Sequence, residues 1–87
     1  MIIELKYPHF KIFGRQLTGK KTPNYEIFNI RSGDLLGSIK WYYNWRKFVF
    51  MPMGNSVWDD KCLADITDAI KKITTDAFIK CLIQYPP

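Results

Sequence analysis

The period of the hydrophobic pattern changes once along this 87-residue chain, and that change decides what it can fold into. Between residues 25 and 51, apolar and polar side chains alternate with the two-residue repeat of a strand that has one buried face. From Cys62 onward the apolar residues Cys62, Leu63, Ile66, Ala69, Ile70 and Ile73 recur at spacings of three and four, the repeat of one helical stripe. A run of strands followed by a helix places the chain in the α+β class.

The strands can be bounded from their turn chemistry. Residues 25–30 are rich in aromatic and β-branched side chains. Arg31-Ser32-Gly33-Asp34 reads as a turn in which Gly33 takes a positive φ. In the next strand, residues 35–43, alternation puts Leu35, Gly37, Ile39, Trp41 and Tyr43 on one face and Leu36, Ser38, Lys40 and Tyr42 on the other. Asn44 marks a turn into a third strand, residues 45–51, where Trp45, Lys47, Val49 and Met51 alternate against Arg46, Phe48 and Phe50. Pro52 has no N–H to give a ladder and should end that strand.

The helix takes Asp59 as its first choice of N-cap and Ser56 as the alternative. Asp59 and Asp60 suit its positive end, Lys71 and Lys72 its negative end, and Asp68 pairs with Lys72 at i,i+4. Thr74-Thr75-Asp76 should break or cap it, leaving residues 77–85 for a separate short helix. The expected architecture is a three-stranded antiparallel meander (β-β-β) packed against one amphipathic C-terminal helix. It forms a single domain over residues 1–87, with a core at 24–74, an N-terminal extension at 1–23 and a C-terminal segment at 75–87. Within the extension, Ile2, Ile3 and Leu5 suggest a short strand ended by Pro8, and Phe10, Ile12 and Phe13 a second apolar patch. Gly14, Gly19, Lys20, Lys21 and Pro23 read as a basic turn or loop.

Charge is distributed unevenly. Residues 1–50 hold nine Lys/Arg against three Asp/Glu, and residues 51–87 hold four against five. The excess positive charge therefore sits with the strands, which points to an anionic partner. Several classes are disfavoured. No stretch approaches the roughly 20 apolar residues of a membrane span, and the first residues lack the pattern of a secretory signal. Two cysteines, Cys62 and Cys81, are too few for a disulfide framework and lack the paired spacing of a zinc site, so a reduced, cytoplasmic setting is expected. His9 is the sole histidine, Cys62 falls on the apolar stripe, and Asp65 and Asp68 have no further ligand spaced to complete a cation cage. No enzyme, cofactor or metal is expected.

The densest chemistry is Lys40-Trp41-Tyr42-Tyr43-Asn44-Trp45-Arg46-Lys47-Phe48. Cations interleaved with rings suit nucleic acid, because cations neutralise phosphates and rings stack on bases. Lys40, Arg46 and Lys47 are the candidate phosphate contacts, with Lys20 and Lys21 in support, and Trp41, Tyr43 and Trp45 the candidate stacking rings. The same residues also describe a ribbon held by cross-strand aromatic pairs with its wet side marked by Lys and Arg. Trp, Tyr and Arg are equally the residues of protein–protein hot spots.

A resemblance is carried by Ser32-Gly33-Asp34-Leu35-Leu36-Gly37-Ser38-Ile39-Lys40-Trp41-Tyr42, by Trp45-Arg46-Lys47-Phe48-Val49-Phe50 with Pro52, and by Cys62-Leu63-Ala64-Asp65-Ile66. Through these runs the chain resembles a group of short uncharacterised proteins of phages and mobile elements, over a little more than half its length. The resemblance implies a compact accessory protein and brings no activity with it. The leading expectation is a small non-enzymatic binding module that contacts nucleic acid through a basic, aromatic sheet face. The alternative is a phage or mobile-element accessory protein that binds and modulates a host protein. An open sheet edge would permit a dimer.

Overall fold

A computed structural model describes residues 4–15 and 24–84, without the side chains of residues 15 and 78–84. It is α+β, a five-stranded antiparallel sheet followed by one helix. The strands are β1 (Glu4–Lys6), β2 (Phe10–Arg15), β3 (Asn24–Asn29), β4 (Leu35–Tyr42) and β5 (Lys47–Pro52), and the helix is α1 (Asp60–Gln84). They lie in the sheet in chain order, each antiparallel to the next.

The sheet thus has two strands more than the meander expected from alternation. Part of the expected N-terminal extension supplies β1 and β2, and Phe10 and Ile12 belong to the buried core. Leu5, Ile12, Ile27, Gly37 and Pro52 sit side by side across all five strands, as do Gly14, Tyr25, Ile39 and Phe50 across four. These rows form the inner face, onto which α1 lays Ile66, Ala69 and Ile73. Each fully buried aliphatic side chain here is worth roughly 1.5–3 kcal/mol. Trp58, before the helix, packs edge-on against Phe10 and Phe50 and donates its indole N–H to Ser56 at 2.8 Å.

Gly37 is required where β4 meets β5. A Cβ there would lie 2.7 Å from the Met51 carbonyl oxygen and 3.0 Å from the Pro52 Cα, both backbone atoms. Beside it the β3–β4 register shifts between Ile27 and Phe28, so that Ile27 faces Gly37 and Phe28 faces Leu35. Leu36 is then the extra residue of a bulge and packs against the core, while Leu35 joins the outer face and is 41% exposed. Simple alternation had placed these two leucines the other way round.

Asp59 is the N-cap: its carboxylate accepts the Cys62 N–H at 2.8 Å. That hydrogen bond is the first cause holding the Asp59 carboxyl below its ordinary range. Contrary to the expected break, α1 runs unbroken through Thr74-Thr75-Asp76 to Gln84. Ile73 is buried and Ala77 packs against the same core, so tertiary contacts outweigh the modest helix propensity of two threonines. As a result Lys71 and Lys72 lie within the helix rather than at its C-terminal end, and the last turn carries no basic residue. Leu63, placed on the stripe by spacing, is 45% exposed and leaves it.

Candidate nucleic-acid interface

The helix covers one face of the sheet, and the register shows which side chains are left on the other. Lys6, Lys11, Phe28 and Leu35 form one row across β1 to β4. Glu4, Phe13, Glu26, Ser38 and Met51 form the next, followed by the pairs Lys40 with Val49 and Tyr42 with Lys47. This face therefore combines four lysines and two glutamates with aromatic and aliphatic side chains. Phe13 and Phe28 meet edge-on with centroids 5.9 Å apart. Lys40 and Lys47, singled out from the sequence, share this face at the β4–β5 end.

The turn between β4 and β5 is longer than the single Asn44 predicted. β5 begins at Lys47, so Trp45 and Arg46 belong to the turn and not to a strand. Trp45 N–H and Arg46 N–H reach back to the Tyr42 and Tyr43 carbonyls at 3.2 and 3.3 Å, and Arg46 adopts φ 51°, a left-handed conformation rare for a side chain of its kind. Asn44 donates to the Tyr42 hydroxyl at 3.2 Å. The Trp45 ring stands perpendicular to the Tyr42 ring at 5.0 Å, which ties the tip to the open face. Tyr43 and Trp45 are 74% and 64% exposed.

Trp41 alternates with Lys40 and falls on the inner face, half-buried against Phe48 with ring centroids 5.2 Å apart. Lys40 and Trp41 therefore cannot serve one surface, and Trp41 supports the core. Lys20 and Lys21 lie outside the described residues. Phe13 and Phe28 were not singled out as site residues by the sequence, in which Lys6 and Lys11 read only as part of a scattered basic arm with Lys20 and Lys21. Their signal was the alternation of Phe10 and Ile12 with Lys11 and Phe13, which Phe13's own apolarity blurs.

Cys62, Tyr25 and Asp68 have structural partners away from this face. Burial first, then the hydrogen bond with Asp59 and its charge, raise the Cys62 thiol, so its place near the helix N-terminus does not make it a reactive thiolate. Burial pushes Tyr25 up to about 12, with help from Asp76. Asp68 is held below the usual carboxylate range by Lys72, 3.0 Å away, and then by the Tyr7 hydroxyl at 2.8 Å. Among the described residues no three carboxylate, imidazole or thiol groups converge as a metal site would need, and no helix is long and apolar enough to cross a membrane.

The described residues form a small α+β protein with one sheet face closed by the helix and the other carrying four lysines, two glutamates and aromatic rings. The chain belongs to the family of an uncharacterized 9.3 kDa protein of Acholeplasma phage L2, to which it is 40% identical over 55 residues, 63% of this chain and 70% of the phage protein. The motif runs that resembled short phage proteins thus have a phage relative. No family model matches the chain, and no solved structure does.

Proposed function

We propose that this chain is a small non-enzymatic binding module that contacts nucleic acid through the open sheet face and the turn between β4 and β5. The observation that carries the reading is the continuity of that face. Lys40 and Lys47 on the strands run into Arg46 and the exposed Tyr43 and Trp45 rings at the tip. Lys40, Arg46 and Lys47 neutralise phosphates, Trp45 and Tyr43 stack or wedge, and Lys20 and Lys21 add charge. Three such phosphate contacts make affinity fall by about 10- to 20-fold between roughly 50 and 150 mM salt, because bound counterions are released. Anisotropy of labelled DNA and RNA across that range tests this, and binding that is flat with salt overturns it.

A second reading, that of a phage accessory protein acting on a host protein, draws on different side chains. Phe13, Leu35 and Met51 are 39%, 41% and 42% exposed on the same face, and apolar surface of this kind suits a protein interface. A partner retained after nuclease treatment, with no salt-dependent binding to any nucleic acid, would favour it.

A further inference from the structure

We infer that the ligand of the open face is single-stranded nucleic acid, and that Lys6, Lys11, Phe13 and Phe28 form a nucleotide-binding step at the β1–β3 end of that face. This rests on the nucleic-acid reading above and adds the form of the ligand and a second contact region.

Lys6 and Lys11 stand directly opposite each other in the β1–β2 ladder, on the side away from the buried Ile12. Like charges in that relation work against the sheet, and an anion held between them reverses the effect. Lys11 is in turn directly opposite Phe28, whose ring meets Phe13 on the neighbouring diagonal at 5.9 Å and an interplanar angle of 63°. Two cations therefore adjoin a ring pair on one surface, with Phe13 39% exposed and flanked in its own row by Glu4 and Glu26. That matches the repeating chemistry of a nucleotide, one phosphate and one base.

The form of the ligand follows from where the rings are. In a duplex the base faces are stacked on one another and only groove edges and phosphates are presented. Rings lying on the floor of a sheet meet base faces only when the bases are unpaired and splayed. From Lys6 on β1 to Lys47 on β5 the face crosses four strand spacings, roughly 19 Å, and also runs from the Leu35 row to the Tyr42 row along β4, roughly 20 Å, so the two cations lie roughly 28 Å apart on a diagonal. A single strand laid across it reaches the Lys6/Lys11 step at one end and the Trp45 tip at the other.

The test compares the full chain with a short labelled oligothymidylate and with the matching dA·dT duplex at low salt. The single strand is expected to bind more tightly. Phe13→Leu, which keeps apolar bulk and removes the ring, should weaken single-strand binding about tenfold and leave duplex binding little changed. Phe13→Tyr should retain the affinity. Lys11→Glu places a carboxylate opposite Lys6 and diagonal to Glu4 and Glu26, so its melting temperature should hold while single-strand affinity falls and its salt dependence becomes shallower. Equal or tighter duplex binding overturns the inference. So does single-strand affinity unchanged by Phe13→Leu while Arg46→Ala still weakens it, and both results leave the nucleic-acid reading intact. No binding to either polymer at low salt overturns both.

Discussion

The Tyr7 hydroxyl donates a 2.8 Å hydrogen bond to the Asp68 carboxylate, joining the β1–β2 turn to the helix across 61 positions of sequence. Lys72 reaches the same carboxylate oxygen at 3.0 Å and lies 5.7 Å from the centre of the Tyr7 ring. Tyr7 also packs on Phe10 with centroids 5.3 Å apart. The N-terminal hairpin is therefore fastened to the helix through an ionic cluster at the rim of the core.

Replacing Tyr7 by Phe keeps the ring and removes the donor. The melting temperature should drop by about 2–6 °C, the size expected for one partly solvated hydrogen bond in a domain this small. Its pH signature is specific. Burial and then Asp68 raise the Tyr7 hydroxyl above its ordinary 10.0, so the folded state holds that proton longer than the unfolded chain. The resulting stability is complete below about pH 10 and is lost as pH climbs through the folded value. Thermal melts between neutral pH and pH 11 should show a shallower decline for Tyr7→Phe than for the wild type. A decline should remain, because Tyr25 is itself pushed up to about 12. Identical alkaline slopes would show that Tyr7 carries no such linkage.

Gly37→Ala should be among the most damaging single-methyl changes in the chain. The new Cβ would sit 2.7 Å from the Met51 carbonyl oxygen and 3.0 Å from the Pro52 Cα, backbone atoms that cannot yield as a side chain would. A loss of about 1–3 kcal/mol by urea denaturation is expected. Gly54 provides the control, since a Cβ there meets nothing within 4 Å and its φ is ordinary. Gly54→Ala should be neutral or slightly stabilising, by up to about 1 kcal/mol.

Strands β3 to β5 and the start of α1 follow from alternation, turn residues and an Asp59 cap. The departures occur where a non-local contact outranks a local rule. Thr74 and Thr75 continue the helix because Ile73 and Ala77 find the core. Leu35 and Leu36 exchange faces because of a bulge that no residue type announces. β1 and β2 were obscure because Pro8, Gly14 and an outward Phe13 interrupt the pattern, and their ladder partners lie far along the chain. Of the expected site residues, Lys40 and Lys47 came out facing together on the sheet. Trp41 did not, for it alternates with Lys40, and two neighbours on a strand cannot share a face.

Arg46 separates stability from binding. Its φ of 51° is one that glycine adopts without steric cost. Arg46→Gly should therefore raise stability, by about 0.5–1 kcal/mol, or at worst leave it unchanged. If Arg46 contacts phosphate, the same variant should bind nucleic acid more weakly, with a salt slope smaller by about 0.7–0.9. Calorimetry and anisotropy on one preparation read both effects. Loss of stability would mean that the guanidinium makes a contact worth more than the backbone strain.

The tryptophans report on separate surfaces and can be told apart. Trp45 is 64% exposed at the tip, while Trp41 and Trp58 pack against the core. Acrylamide should quench one strongly accessible population, and Trp45→Phe should remove it. Adding nucleic acid at low salt should shield that same population, so the fluorescence change on binding should vanish in Trp45→Phe and survive in Trp41→Phe. Stability should divide the other way. Trp45→Ala should stay within about 0.5 kcal/mol of the wild type, as surface changes do. Trp41→Ala should cost about 2–4 kcal/mol, because it removes the ring that braces Phe48. A binding signal that persists without Trp45 but disappears without Trp41 would move the interface to the helix-covered side of the sheet. The helix would then have to shift to admit the ligand, and binding would be slow and coupled to local unfolding instead of fast and set by charge.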